Sequence, residues 1–185
     1  MQRKILVFLM VVVLSACATT GATTNNEKRQ AILDMKQEVL SELYRKRPDA
    51  RSQVAQAPGY AVFSNANVNL ILASFSGGQG VVRDNKTGGH TYMNMGEAGI
   101  GFGLGVKDFR AVFIFHDSDT MTSFIESGWE FGAHADAAAK AGDKGGAVAG
   151  EILLDGVTVY QMTESGLALQ ATLKGTKYWK DGDLN

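Results

Sequence analysis

The sequence predicts an α+β fold: an N-terminal amphipathic helix packed on a curved, mainly antiparallel β-sheet, barrel- or sandwich-like, with one inserted helix. Three observations carry this. Apolar residues recur with a helical period just after residue 27, and from Tyr60 the period changes to two in short segments separated by turn-forming residues. Glycine is abundant at 22 residues and proline scarce at 2, which favours closely packed strands with tight turns over disorder.

The elements follow in order. Ile32, Met35, Val39 and Leu43 form an apolar stripe, widened by Leu33, Leu40 and Tyr44, with Glu27, Lys28, Asp34, Lys36, Glu38 and Glu42 assigned to the outward face. The helix is expected to end near Arg47, because Pro48 disfavours helical geometry in the residue before it. Residues Asp49 to Ala57 suit a second short helix, stopped by Pro58-Gly59. Strands are expected at Tyr60–Phe63, Val68–Ser76, Gln79–Asp84 and His90–Met95, with a hairpin turn at Asn85–Gly89. Two more, Ala98–Val106 and Phe109–Phe115, flank a turn at Lys107-Asp108. The inserted helix starts with Ser118 or Asp119 as N-cap, buries Met121, Phe124 and Ile125, and stops at Gly128. Trp129–His134 reads as a strand and Ala135–Gly150 as a short helix plus loop. Val157–Met162 and Leu167–Leu173 form a last hairpin, and Thr176–Trp179 a terminal strand.

Before the helix stands a different kind of segment. Arg3 and Lys4 precede an apolar run from Ile5 to Leu14, then Ser15-Ala16 and Cys17. This is a secretory signal, too short for the roughly 20 apolar residues that span a bilayer. The cysteine after the small pair makes it resemble a bacterial lipoprotein signal, in which that cysteine becomes the acylated first residue. The expected organisation is therefore a signal at residues 1–16, acylated Cys17 with a flexible polar linker at 17–26, and one domain at 27–185. The mature chain has 16 basic residues (18 minus Arg3 and Lys4) against 19 acidic ones, a net charge of about −3. Without a basic excess to displace counterions from a phosphate backbone, nucleic acid is not an expected partner. As Cys17 is the only cysteine, a disulfide framework is excluded, and because the expected acylation consumes its thiol, so are a thiolate metal site and a cysteine nucleophile.

Candidate chemistry is sparse. Gly99 to Val106 places glycine at every second position, so one strand face is bare backbone. That face suits close packing of another layer or a ligand lying against it. The spacing fails the dinucleotide pattern, and Gly77-Gly78-Gln79-Gly80 lacks the Gly-Lys-Ser/Thr of a phosphate loop. His90, His116 and His134 have no partner at metal-ligand spacing. His116-Asp117-Ser118-Asp119 reads as turn and cap residues between a strand and a helix. Glu97, Asp108 and Glu130 are scattered, and no nucleophile elbow occurs. The chain thus reads as no enzyme, with neither metal nor cofactor. The one dense positive cluster is Arg45-Lys46-Arg47 with Arg51, which suits a helix C-terminus or anionic lipid headgroups. Trp129, Tyr178 and Trp179 suit a core or a membrane interface.

Several segments together resemble the SYLF domain family. They are Ala57-Pro58-Gly59-Tyr60-Ala61-Val62-Phe63 after the helix, Gly77 to Asp84, Gly99-Ile100-Gly101, Phe131 to Ala135, and Val159-Tyr160 ahead of Ser165 to Ala168. The resemblance spans roughly Gln30 to Trp179 and points to the family's bacterial lipoprotein branch. It implies a lipid-binding domain whose membrane contact lies in the N-terminal helical and basic region, matched here by Lys36, Arg45, Lys46, Arg47 and Arg51. It also implies three acyl chains on Cys17. The sequence departs from eukaryotic members at His90-Thr91-Tyr92, where those carry a Trp, and an exported protein meets no actin. The expected protein is a membrane-anchored envelope lipoprotein, on the outer membrane facing the periplasm, whose non-enzymatic domain binds anionic phospholipid headgroups. The alternative is an envelope scaffold or interaction module with a protein partner, for which the anchor only supplies location.

Overall fold

A computed structural model describes residues 24–65, 77–97, 109–130, 151–154, 156–163, 166–167 and 176–185. The signal, Cys17 and most of the linker lie outside these residues. So do the expected strands at 68–76 and 98–106, the turn at 107–108, residues 131–150, and the hairpin return beyond Leu167.

The first helix, α1, spans Asn25–Lys46 and is fixed at its start by a reciprocal cap. The Thr24 hydroxyl accepts from the Glu27 amide at 3.2 Å, and the Glu27 carboxylate accepts from the Thr24 amide at 2.7 Å. Pro48 follows its C-cap Arg47, and α2 spans Ala50–Gln56. The strands are β1 (Gly59–Ser64), β2 (Gly77–Asp84), β3 (His90–Glu97) and β4 (Arg110–Phe115). Next come α3 (Ser118–Ser127), β5 (Trp129–Glu130), β6 (Glu151–Leu154), β7 (Val157–Thr163), β8 (Gly166–Leu167) and β9 (Thr176–Lys180). All the pairings are antiparallel, and among the described residues the strands form one sheet in the order β5-β9-β3-β2-β1-β4-β7-β6, with β8 beside β7. This is the α+β architecture expected, with the helix packed on a curved sheet.

The curvature follows from which rings touch. Tyr178 on β9 and Phe113 on β4 are four strands apart, about 19 Å if the sheet were flat, yet their ring centroids lie 5.0 Å apart. Trp129 on β5 is five strands from β4 and still comes within 6.1 Å of the Phe113 ring. The sheet therefore curls around its own aromatic side. Phe63, Phe113, Phe115, Met93, Met95, Val159 and Tyr178 fill the concave face, and α3 closes it with Met121 and Phe124. On the convex face, Val39, Leu40 and Leu43 of α1 with Ala50 and Val54 of α2 pack against Tyr60, Val62, Val112, Ile114, Tyr160 and Met162. Nearer the helix start, Ile32 packs with Val81, Tyr92 and Leu184. The segment after β9 ties down that end: Arg29 Nε donates to the Leu184 carbonyl at 2.8 Å, and the Asn185 side chain binds both main-chain groups of Tyr92.

Three expectations are corrected. Lys36 and Glu42 do not face outward. Lys36 lies directly between Ile32 and Leu40 in the i, i+4 row and is only 6% exposed, while Glu42 turns to the sheet and pairs with Arg110 on β4 at 3.4 Å. The cap of α3 is Asp117, whose carboxylate accepts from the Thr120 amide at 2.7 Å; Ser118 is already helical. Strand β6 was not foreseen, because Glu151-Ile152-Leu153-Leu154 is a short apolar run without alternation, which periodicity alone cannot assign.

Candidate functional site

Two groups of polar side chains stand out on the convex face along α1. The first lies at the corner between α1 and α2. Arg45 and Lys46 end α1 and are exposed, as is Arg51 on the first turn of α2. Lys46 pairs with Glu42 at 2.7 Å, and Glu42 also holds Arg110. Arg47 pairs with Asp49 at 3.1 Å, and this bond keeps the Asp49 carboxyl below its usual range. The Arg47 guanidinium also lies 5.4 Å from the centre of the Tyr160 ring, and that of Arg51 lies 4.5 Å from the centre of the Tyr44 ring. The corner thus gathers five cations, of which Lys46 and Arg110 pair with Glu42 and Arg47 pairs with Asp49. Such pairs screen the surface without cancelling its positive sign.

The second group lies about 14 Å back along α1, nine residues at 1.5 Å each. Register builds it. Tyr60 on β1 pairs with Arg83 on β2, and Arg83 pairs with His90 on β3. Residues directly opposite on neighbouring strands share a face, so the three form a polar row beneath α1. Lys36 reaches down into this row. Its Nζ is 3.3 Å from His90 Nε2, and Arg83 Nη1 is 3.4 Å from the same nitrogen. Arg83 Nη1 also donates to the Gly88 carbonyl in the β2–β3 turn, which holds the guanidinium in place. Burial, and next the nearby Arg83 charge, lower the Lys36 pKa; burial, then Lys36 and Arg83, lower that of His90. Burial raises Tyr60 despite the opposing pull of Arg83.

Of the five residues matched to lipid contact, Arg45, Lys46, Arg47 and Arg51 come together, and Lys36 stands apart from them under the helix. The sequence does not single out Arg83 and His90 as a site with Lys36, because no local motif marks their pairing. A signal existed: in a hairpin they are opposite each other across the β2–β3 turn, and Lys36 interrupts an apolar i, i+4 row. Elsewhere, His116 Nε2 lies 2.8 Å from the Thr158 hydroxyl, and Asp117 serves as a cap. Tyr178 is buried in the concave core, Trp129 packs against that core, and Trp179 is 36% exposed. Among the described residues no helix is long and apolar enough to cross a membrane.

Fold and surface together define a small α+β domain whose helical layer carries cations at the α1–α2 corner and in the row of Lys36, Arg83 and His90. No family model matches the chain. A protein described as beta cell expansion factor A, from Aeromonas veronii, is 37% identical over 164 residues, which cover 87% of this chain and 60% of that protein. The chain therefore spans well under two thirds of the length of the curated relative it matches.

Proposed function

We propose that this chain is a SYLF-type, non-enzymatic lipid-binding domain of an envelope lipoprotein. In this reading acylated Cys17 attaches it to the membrane, on the periplasmic side of the outer membrane, and the α1–α2 corner touches anionic phospholipid headgroups. The observation that supports it best is the exposure of Arg45, Lys46 and Arg51 at one corner. Each basic residue near an anionic surface contributes about 1 kcal/mol. A single acyl chain gives only marginal attachment and two or more give stable attachment. With residence secured by the lipid, weak headgroup contacts become populated through the high local concentration that tethering creates.

The test is co-sedimentation of the unlipidated chain, beginning at Ala18, with vesicles of zwitterionic lipid with and without phosphatidylglycerol. Binding should require the anionic lipid and weaken with salt. Reversing Arg45, Lys46 and Arg47 to Glu should lower it by about tenfold or more, while far-ultraviolet circular dichroism stays unchanged. Equal binding by the triple variant overturns the basic-corner reading. A second reading is that the domain is an envelope scaffold or interaction module with a protein partner, for which the anchor only supplies location. Stoichiometric capture of one partner by the unlipidated chain, with no vesicle binding, would support that second reading.

A further inference from the structure

We propose that Lys36, Arg83 and His90 form a binding site for a phosphoryl anion, either inorganic phosphate or a phosphomonoester group, beneath α1 and beside the β2–β3 turn. Two cations of different strands and helices converge on one imidazole nitrogen, at 3.3 and 3.4 Å. That nitrogen offers a single lone pair, while Lys36 brings three N–H donors and Arg83 five. One edge of Arg83 is engaged by the Gly88 carbonyl, and the cluster as a whole remains rich in donors and poor in acceptors. Among the described residues no carboxylate forms an ion pair with any of the three.

The arrangement is costly without an anion. Lys36 sits among Ile32, Val39 and Leu40, all at most 5% exposed, and a buried charge without a counter-charge is strongly disfavoured. A methionine or leucine there would satisfy the helix stripe. The lysine instead brings a point charge to a guanidinium already held in position by the turn. A fork-shaped donor beside a point-charge donor is the pairing that recognises phosphate oxygens. A tetrahedral anion accepts from three directions, which matches donors arriving from α1, β2 and β3 better than a planar carboxylate does.

His90 supplies regulation. Facing it are Lys36 from α1 and Arg83 from β2, with Tyr60 of β1 bordering Arg83. In the turn, the Asp84 carboxylate is occupied by the Lys86 and Thr87 amides. Without the anion, a proton on Nε2 would point at two cations. An anion accepting from the remaining N–H groups of Lys36 and Arg83 beside the ring offsets that conflict, so protonation of His90 and anion binding favour each other.

The experiment is calorimetric titration of the purified full-length lipoprotein in detergent with inorganic phosphate, and with sulfate, whose charge is constant between pH 5.5 and 7.5. One saturable site is expected, with sulfate binding more tightly at the lower pH. Lys36→Met should weaken binding by about tenfold or more without lowering the thermal midpoint, and His90→Gln should remove most of the pH dependence. Vesicles distinguish the sources. Selective binding to phosphatidic acid over phosphatidylglycerol, competed by inorganic phosphate, identifies a lipid phosphomonoester. Saturable phosphate binding without that selectivity identifies a soluble phosphate compound. Absence of saturable binding, or binding that Lys36→Met leaves unchanged (an adventitious ion only), overturns the proposal. The Arg45, Lys46 and Arg47 reversal lies outside this site, so it should weaken anionic-vesicle binding through the corner and leave phosphate binding intact.

Discussion

At the scale of the residue, burial and then the charges of Lys36 and Arg83 hold the His90 imidazole below its ordinary pKa of 6.5. The unfolded chain therefore binds this proton more readily than the folded one. Stability associated with His90 is complete above pH 6.5 and is lost as pH falls below it. Glu27, Asp84 and Asp117, whose hydrogen bonds lower their pKa values, act in a separate window, below pH 4.5. Urea unfolding at pH 7.5 and 5.5 should thus show a decline in the wild type that is smaller in His90→Gln; equal declines would mean that the cations do not oppose the proton. This residue-level chemistry was poorly legible in the sequence. Lys36 was assigned outward because lysine is almost never buried, although its i, i+4 neighbours Ile32 and Leu40 are both core residues. Arg83 and His90 acquire meaning only from strand register, which places both on the α1 face.

Elements were more legible, because periodicity and turn chemistry are local. The stripe Ile32, Val39 and Leu43 gave α1, Pro48 gave its end, and Asn85–Gly89 gave the β2–β3 hairpin. Boundaries were less so. Residues 116–119 offer three oxygen-bearing side chains in sequence, and only backbone geometry selects Asp117, which is extended at φ −142° and ψ 162° while Ser118 is helical. Its carboxylate receives both the Thr120 amide and the Thr120 hydroxyl, at 2.7 and 2.8 Å. Asp117→Ala should destabilise the domain by about 1 kcal/mol, whereas Ser118→Ala and Asp119→Ala should each cost only a few tenths. Thermal denaturation of the three variants checks this, and a larger loss in Ser118→Ala would return the cap to the position first expected. Gly128, at φ 67°, ends the helix in a conformation few other residues adopt cheaply, so α3 has a strict stop as well as a strict start.

The whole molecule is shaped by an asymmetry between its two sheet faces. The concave face is aromatic and closed by α3, and the convex face carries the helices, the basic corner and the Lys36–Arg83–His90 row. Sequence alternation announced that each strand has two faces, yet it could not say how far the sheet curls, since curl depends on contacts between strands distant in the chain. Trp129 pairs with Tyr178 across the β5–β9 ladder and shares its concave face, whereas Trp179, one residue further along β9, points to the other face. Their environments differ accordingly. Trp129 packs against the Phe113 and Phe124 rings at 6.1 and 5.6 Å, and Trp179 is exposed. The burial of Trp129 is a direct probe of the curl, because in a flat sheet Trp129 would lie about 24 Å from Phe113 and could not pack against its ring. In single-tryptophan variants, acrylamide should quench Trp179 strongly and Trp129 weakly. Phe124→Ala, which removes a ring that touches Phe63, Phe113, Phe115, Trp129 and Tyr178, should lower stability by about 3–5 kcal/mol and make Trp129 more accessible. Equal quenching of both tryptophans in the otherwise unaltered protein would show that the edge strands do not close over the aromatic core in solution.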